Sequence, residues 1–418
     1  MSLGLEVAFL PGIAIARRLD ADGDWKRHLM LTPAFGLLVC LGLAGLCFIL
    51  EWSLDSLTTM LILANLIALI SMRVELEPIS NVKTIQRSPW FWIFTLIACY
   101  IAMVPLSYGL PMGVDWVGFS ALTDSIARTG GFNLENPSIG QWIYPPAFPM
   151  LAAWIGGPPQ VAVFLLGTVC FVALLLGIAA IGEKMECGHW TIMAMLMAPA
   201  LFAKNLDSGY PTVASQLGLI VILTMFSSKL RWELVALTAL IVAMIHPTGL
   251  IYLATLVTAK LLADKGDKWT LTEKIQSSIL VVAIIFAILI ISPAFDGTAV
   301  FAEYGWQGGV PLAMYAGLLL PLGLWSAWTL RNDKTARILI LWLGLNWILS
   351  SIHLFDGLQG FTLLSMMSYA LYSMSMHAFH IPLATLVGLR LSRLEGGHKS
   401  EGGRAAMIVA LLLCGVAH

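Results

Sequence analysis

The sequence predicts an all-α membrane protein, a polytopic bundle of roughly 11 to 14 spanning helices. Of its 418 residues, 59% are hydrophobic and only 11% are charged. Apolar runs recur along the chain, and several approach the length of about 20 residues that a membrane-spanning helix needs. The net charge is −1 and no long basic or acidic run occurs. The sequence therefore shows no charge pattern of the kind that binds nucleic acid, and we do not expect nucleic acid as a partner.

Apolar segments along the chain are the candidates for these helices. By number they are about 2–16, 31–50, 54–72, 89–108, 159–181, 190–203, 210–228, 230–246, 247–263, 275–293, 309–330, 336–352, 380–394 and 405–417. The first carries its arginine pair after the apolar run, which is the wrong order for a cleaved signal peptide, so we expect a retained first span. The six cysteines show no CxxC or paired loop spacing, so we predict neither disulfides nor a metal site.

Lysine and arginine concentrate in six loops, which gives the helices a predicted orientation. The loops are, by number, 17–28, 73–87, 229–233, 260–274, 331–337 and 390–404. Basic loops of membrane proteins are cytoplasmic, so we place all six on that side. This placement requires that the segment from Tyr144 to Pro159 does not cross the membrane. We expect a partial or re-entrant segment there, and an interfacial outer helix from Asp356 to about His377.

The outer face then collects the unusual polar residues of a single transmembrane domain, residues 1–418, whose candidate catalytic loop spans 109–158. The residues predicted on this face are Asp115, Asp124, Arg128, Glu135, Tyr144, Lys204, Asp207, His246, Glu303, Tyr304, His353, Asp356, His377 and His380.

Asp115 is the candidate catalytic residue, because it follows a span and begins an amphipathic run that extends to Arg128. A carboxylate at the membrane boundary can take the proton of an acceptor hydroxyl, and desolvation raises its pKa toward the useful range. A simple helix cap is the alternative interpretation. Asp124 and Arg128 lie on later turns and are candidates for substrate contact.

Two outer loops contain a Tyr–Pro pair. Tyr144 opens "YPPAFPML", whose prolines indicate an irregular entry into a helix, and this tyrosine can stack on a sugar or donate to a phosphate. In "AKNLDSGYPT", Lys204 can neutralise a lipid phosphate, with Asp207 nearby. A lysine that snorkels at a helix end explains the same position equally well.

Five further residues in three outer segments complete the candidate substrate contacts. His246 lies where two apolar runs meet, and a histidine at membrane depth usually lines a cavity. Glu303 and Tyr304 combine an acid with an aromatic ring, as carbohydrate sites do. His377 and His380 share one helical face and suit a phosphate better than a metal, since no carboxylate stands at ligand spacing. The alternative for His246 is a hairpin turn that tolerates polar residues. For Glu303 and Tyr304 it is the ordinary enrichment of aromatic residues at membrane interfaces, and for the two histidines it is interfacial packing.

The aspartate of "GVDW", the amphipathic "ALTDSIARTGG" helix and "YPPAFPML" together resemble the first outer loop of GT-C-fold glycosyltransferases, over residues 90–160. These polytopic enzymes use polyprenyl-phosphate-linked sugars. The resemblance implies that Asp115 is the catalytic base and that the Tyr–Pro–Pro stretch introduces the next membrane helix. The tandem acidic pair usual in that family is absent, because Trp116 follows Asp115. The use of a divalent cation is therefore left open.

The function that the resemblance implies is transfer of a sugar from a polyprenyl-phosphate donor to a glycan, lipid or protein acceptor, with inversion. The expected location is the outer leaflet of a bacterial or archaeal plasma membrane. Expected partners are the lipid-linked donor, membrane lipid and, where one chain does not complete the site, further membrane subunits. A transporter or flippase of a lipid-linked or polar substrate, and a noncatalytic membrane subunit, stay open as alternatives. An O-antigen-type polymerase or ligase would rely on outer arginines, of which only Arg128 is predicted.

Overall fold

A computed structural model describes residues 7–74, 87–109, 111, 113, 115–129, 144–198, 202, 205–206, 208–265, 319–350, 379–395, 405 and 408–409. All regular structure within these residues is helical, which confirms the predicted all-α class. The chain divides into two compact units. Unit 1 comprises Met1–Arg87, Ile97–Ala180 and Lys204–Pro247, and unit 2 comprises Ser88–Leu96, Ile181–Ala203 and Thr248–His418.

Most of the described helices follow the predicted apolar segments in order. The segment predicted at 275–293 and the interfacial helix predicted from Asp356 to about His377 lie outside the described residues. The described helices are α1 Phe9–Leu19, α2 Trp25–Ile49, α3 Leu54–Val74, α4 Pro89–Met103, α5 Asp115–Thr129, α6 Ala147–Ile155, α7 Pro159–Lys184, α8 His189–Leu196, α9 Tyr210–Ser215, α10 Leu217–Thr224, α11 Trp232–Ile245, α12 Pro247–Lys265, α13 Leu319–Thr329, α14 Lys334–Ser350 and α15 His380–Glu395. A 3-10 turn, Val104–Tyr108, extends α4.

Among the described helices, four are long and apolar enough to cross a membrane: Trp25–Ile49, Leu54–Met72, Pro89–Tyr108 and Pro159–Lys184. The helices α3 and α4 turn large apolar side chains outward, as shown by Ile67 and Leu96, which are each 66% exposed. A continuous apolar exterior of this kind is unfavourable in water and favourable in lipid. Membrane character is thereby supported, while the predicted total of 11 to 14 spans stays a prediction.

The helix α2 begins six residues before the apolar run that predicted it, at Trp25 instead of residue 31. Asp24 is the reason, because its carboxylate accepts a hydrogen bond from the Arg27 backbone N–H at 2.9 Å and caps the helix. The charged first turn therefore belongs to the helix, although its hydropathy does not predict a span.

Two buried ion pairs hold the start of α2. The guanidinium of Arg27 forks onto Asp20, donating through Nε at 2.5 Å and Nη2 at 3.0 Å. The guanidinium of Arg87 forks onto Asp24, with both distances 2.6 Å. The two aspartates are at most 1% exposed, so these charges are compensated inside the protein by bidentate geometry.

Glycine allows α1 and α2 to cross with their backbones in contact. A Cβ atom built on Gly36 would lie 1.9 Å from the Ala8 carbonyl oxygen, and one built on Gly12 would lie 2.1 Å from the Thr32 carbonyl oxygen. No side chain fits at either position, so the crossing requires the two glycines.

Two short helices form between α4 and α7, at the positions that the sequence predicts. The amphipathic run forms α5, which buries Phe119, Leu122 and Ile126. The segment after Tyr144 forms α6, which has nine residues and a length of about 14 Å. A helix of that length cannot cross a hydrocarbon layer of about 30 Å.

Unit 2 is built around α15. A Cβ atom on Gly388 would lie 2.5 Å from Thr191 Oγ1 of α8, and one on Gly323 of α13 would lie 2.3 Å from Leu383 Cδ2 of α15. The helix α14 packs against the start of α15 through Trp347 and Phe379, whose ring centroids are 6.4 Å apart. Small residues thus permit close packing on two sides of α15, and aromatic rings fill the third.

Candidate functional site

Asp115 is the first residue of α5, and its side chain is exposed. The next residue, Trp116, donates its backbone N–H to Ser208 Oγ at 3.0 Å, which fixes the start of the helix against the segment that precedes α9. The partial positive charge at a helix N-terminus favours an ionised carboxylate at this position. The structure therefore presents Asp115 as an exposed negative charge on a supported helix end, and the desolvation expected from the sequence is not observed at this residue.

Tyr144 lies within electrostatic reach of Asp115. Its ring meets the edge of Phe119, one turn into α5, at a centroid distance of 5.0 Å. Burial of the hydroxyl raises the pKa of Tyr144 well above 10, and the negative charge of Asp115 raises it further. The Tyr144 hydroxyl consequently keeps its proton at neutral pH and can donate a hydrogen bond.

His246 completes the cluster from the other side of Tyr144. The two ring centroids lie 5.8 Å apart, and His246 is 9% exposed. Its backbone is extended (φ −162°, ψ 129°) because it caps α11 and because Pro247 begins α12 immediately afterwards. The break between the two helices thus turns the imidazole toward Tyr144.

Asp115, Tyr144 and His246 therefore form one cluster within unit 1, drawn from three widely separated stretches of the sequence. The cluster combines an exposed carboxylate that accepts protons, a phenol that donates a hydrogen bond, and an imidazole that can do either. Such a set is able to activate a hydroxyl nucleophile and to bind an oxygen of its partner.

Tyr210 is a residue that the sequence analysis did not single out. Its fully buried ring stacks between Phe148 and Phe164, at centroid distances of 6.5 and 6.2 Å. Within the described part of the chain its hydroxyl has no hydrogen-bond partner. The second Tyr–Pro pair, "SGYPT", was the available signal.

The remaining predicted contacts divide into three groups. Asp124 and Arg128 pair with each other at 2.5 Å, one turn apart on the outward face of α5, and do not join the cluster. His380 is fully buried in unit 2. Five candidates lie outside the described residues: Lys204, Asp207, Glu303, Tyr304 and His377.

Within the residues that the structure describes, no three His, Cys, Asp or Glu side chains come together as a metal site would require. No protein-family model, curated protein or solved structure matches the chain. The case for a function consequently depends on the chemistry of the cluster.

Proposed function

We propose that the protein is a membrane glycosyltransferase that moves a sugar from a polyprenyl-phosphate donor to an acceptor hydroxyl at the outer leaflet. The observation that carries this proposal is the position of Asp115, an exposed carboxylate on the supported end of an amphipathic helix, beside Tyr144 and His246. The GT-C-like pattern of the sequence supplies the reaction class.

In this mechanism Asp115 is the general base. The acceptor oxygen attacks the anomeric carbon while Asp115 takes its proton, the bond between that carbon and the phosphate oxygen breaks, and polyprenyl phosphate leaves with the electron pair. One displacement inverts the configuration at the anomeric carbon. The charge that develops on the leaving phosphate is greatest in the transition state, so a donor aimed at it accelerates the reaction.

Tyr144 and His246 are assigned to binding and orientation. The protonated Tyr144 hydroxyl can donate to a phosphate or sugar oxygen, and the His246 imidazole, inclined by 57° to the Tyr144 ring, can bind a polar group of the substrate. Their burial suits this task, because side chains locked by packing lose little further entropy when a substrate binds.

The contacts between loops support the outer location of the proposed site. In unit 1, Asp24 and Arg87 join two loops that the distribution of basic residues assigns to the cytoplasm. The contacts of Trp116 with Ser208 and of Tyr144 with His246 join segments assigned to the opposite face. Each of these three contacts within unit 1 therefore connects two segments assigned to the same face of the membrane, as the proposed topology requires.

The test is sugar transfer by the purified protein in proteoliposomes, with a panel of radiolabelled polyprenyl-phosphate sugars and NMR analysis of the product anomer. We expect one donor class to be consumed with inversion. Retention of configuration would require a covalent intermediate and would remove Asp115 from the role of base. Binding of lipid-linked sugar without any transfer, accompanied by its movement across the bilayer, would favour the flippase alternative.

A further inference from the structure

Two buried polar side chains in unit 2 lie where α14 packs against the start of α15. Asn346 and His380 are both 0% exposed. Their chain neighbours Trp347 and Phe379 are in ring contact across the two helices, at 6.4 Å, so the two polar residues lie at the same helix junction. His380 is also the first residue of α15, a helix of 16 residues, where backbone N–H groups lack helical partners.

Neither side chain is satisfied. Within the described part of the chain, Nδ2 and Oδ1 of Asn346 and both ring nitrogens of His380 have no hydrogen-bond partner. A buried polar atom without a partner destabilises the folded protein, and four such atoms at one helix junction are more than ordinary packing leaves. A bound molecule that satisfies these atoms accounts for the arrangement.

The donors and acceptors define the ligand. Asn346 provides two donor hydrogens and an acceptor oxygen, and a neutral imidazole provides one donor and one acceptor. No group of the pair carries a fixed positive charge to compensate a buried phosphate. A hydroxyl group, which donates and accepts at once, matches both side chains.

We propose that Asn346 and His380 form a binding site for the hydroxyl groups of an uncharged, carbohydrate-like ligand. The aromatic rings of Trp347 and Phe379 lie beside the site and suit the apolar face of a sugar ring. This assignment replaces the phosphate expected from the His377 and His380 spacing. It does not depend on the activity proposed for Asp115.

The experiment uses two probes that share a tail and differ in their head group, octyl β-D-glucoside and octyl phosphate. The full-length protein in phosphatidylcholine nanodiscs is titrated with each below its critical micelle concentration. Thermal unfolding reports binding. Imidazole ¹⁵N shifts, assigned by comparison with His380→Gln, report whether both ring nitrogens of His380 gain hydrogen bonds. We expect the glucoside to raise the unfolding temperature and move both shifts, and octyl phosphate to do neither.

A matched pair of substitutions separates a binding role from a structural one. Asn346→Leu removes unsatisfied atoms, so it should raise the unfolding temperature of the empty protein while weakening glucoside binding roughly tenfold. Asn65→Leu is the control, because Asn65 donates to the Val7 and Leu61 carbonyl oxygens at 2.8 Å each. It should lower the unfolding temperature and leave glucoside binding unchanged.

Three results would overturn the proposal. The first is a lower unfolding temperature for Asn346→Leu, which would show that its amide is satisfied in the folded protein. The second is stronger stabilisation by octyl phosphate than by octyl glucoside. The third is unchanged His380 shifts at saturating glucoside.

Discussion

The rings of Tyr144 and His246 lie 5.8 Å apart, with their planes inclined by 57°. Tyr144 comes from the segment before α6, and His246 from the break between α11 and α12. Their contact brings an imidazole into the cluster that Asp115 and Tyr144 begin. The proposed active site thus depends on packing between distant segments of unit 1.

Substitution of His246 separates its packing from its chemistry. His246→Phe keeps an aromatic ring against Tyr144, so the thermal unfolding temperature should stay close to that of the native chain. Loss of the imidazole should lower kcat/KM about 100-fold, within the range for a residue that handles protons or polar substrate groups. His246→Ala should lower both quantities. Full transfer activity in His246→Phe would limit the role of His246 to packing.

Asp24 makes part of the stability dependent on pH. Burial alone raises the pKa of Asp24, but the hydrogen bonds from Arg87 and from the Arg27 backbone outweigh it, so the folded-state pKa lies below 3.8. Because the shift is downward, the stabilisation is complete above pH 3.8 and is lost as the pH falls through the folded-state pKa. Asp24→Asn should cost about 3 kcal/mol at pH 7.

Chemical denaturation across pH measures this effect. The difference in unfolding free energy between the native chain and Asp24→Asn should shrink steadily below pH 3.8. Glu233→Gln is the control, since Glu233 and its partner Arg231 are both more than half exposed and should contribute no measurable stability. A difference that stays constant down to pH 2 would contradict the assignment.

The crossing of α1 and α2 predicts a strong effect at Gly36. Gly36→Ala places a Cβ atom against the Ala8 carbonyl, so the helices must separate, and we expect a loss of about 3 kcal/mol or more. Gly344→Ala is the matched control because no heavy atom lies within 4 Å of its Cβ position. It should stabilise α14 by up to about 1 kcal/mol. Equal unfolding temperatures for the two variants would contradict the crossing.

Cysteine labelling can determine which side of the membrane the loops of unit 1 face. Arg128→Cys and Arg231→Cys replace side chains that are 77% and 57% exposed. A membrane-impermeant maleimide should label Arg128→Cys in intact cells, and Arg231→Cys only after permeabilisation. The unsubstituted chain provides the background, and its Cys40, Cys47, Cys170 and Cys187 are buried. Labelling of both variants in intact cells would break the predicted topology.

The sequence predicted the fold class and most helix positions because apolar runs of spanning length leave few other structures in a membrane. It also singled out Asp115, Tyr144 and His246 individually as candidates. Their meeting was not predictable, since it depends on how α5, α11 and the loop before α6 pack. The contact between Asp124 and Arg128 was predictable, because a spacing of four residues favours an ion pair within one helix, here α5. The start of α2 was missed because a capping aspartate, and not hydropathy, decides it.

The central claim is that Asp115 is the catalytic base, and the most direct test compares Asp115→Asn with Asp124→Asn in the transfer assay. Both changes remove one carboxylate from α5 and leave a side chain of nearly equal size. The account predicts a loss of transfer of about 100-fold or more for Asp115→Asn, with donor binding and folding intact. It predicts nearly native transfer for Asp124→Asn. Substantial turnover by Asp115→Asn, with the loss falling on Asp124→Asn instead, would contradict the account.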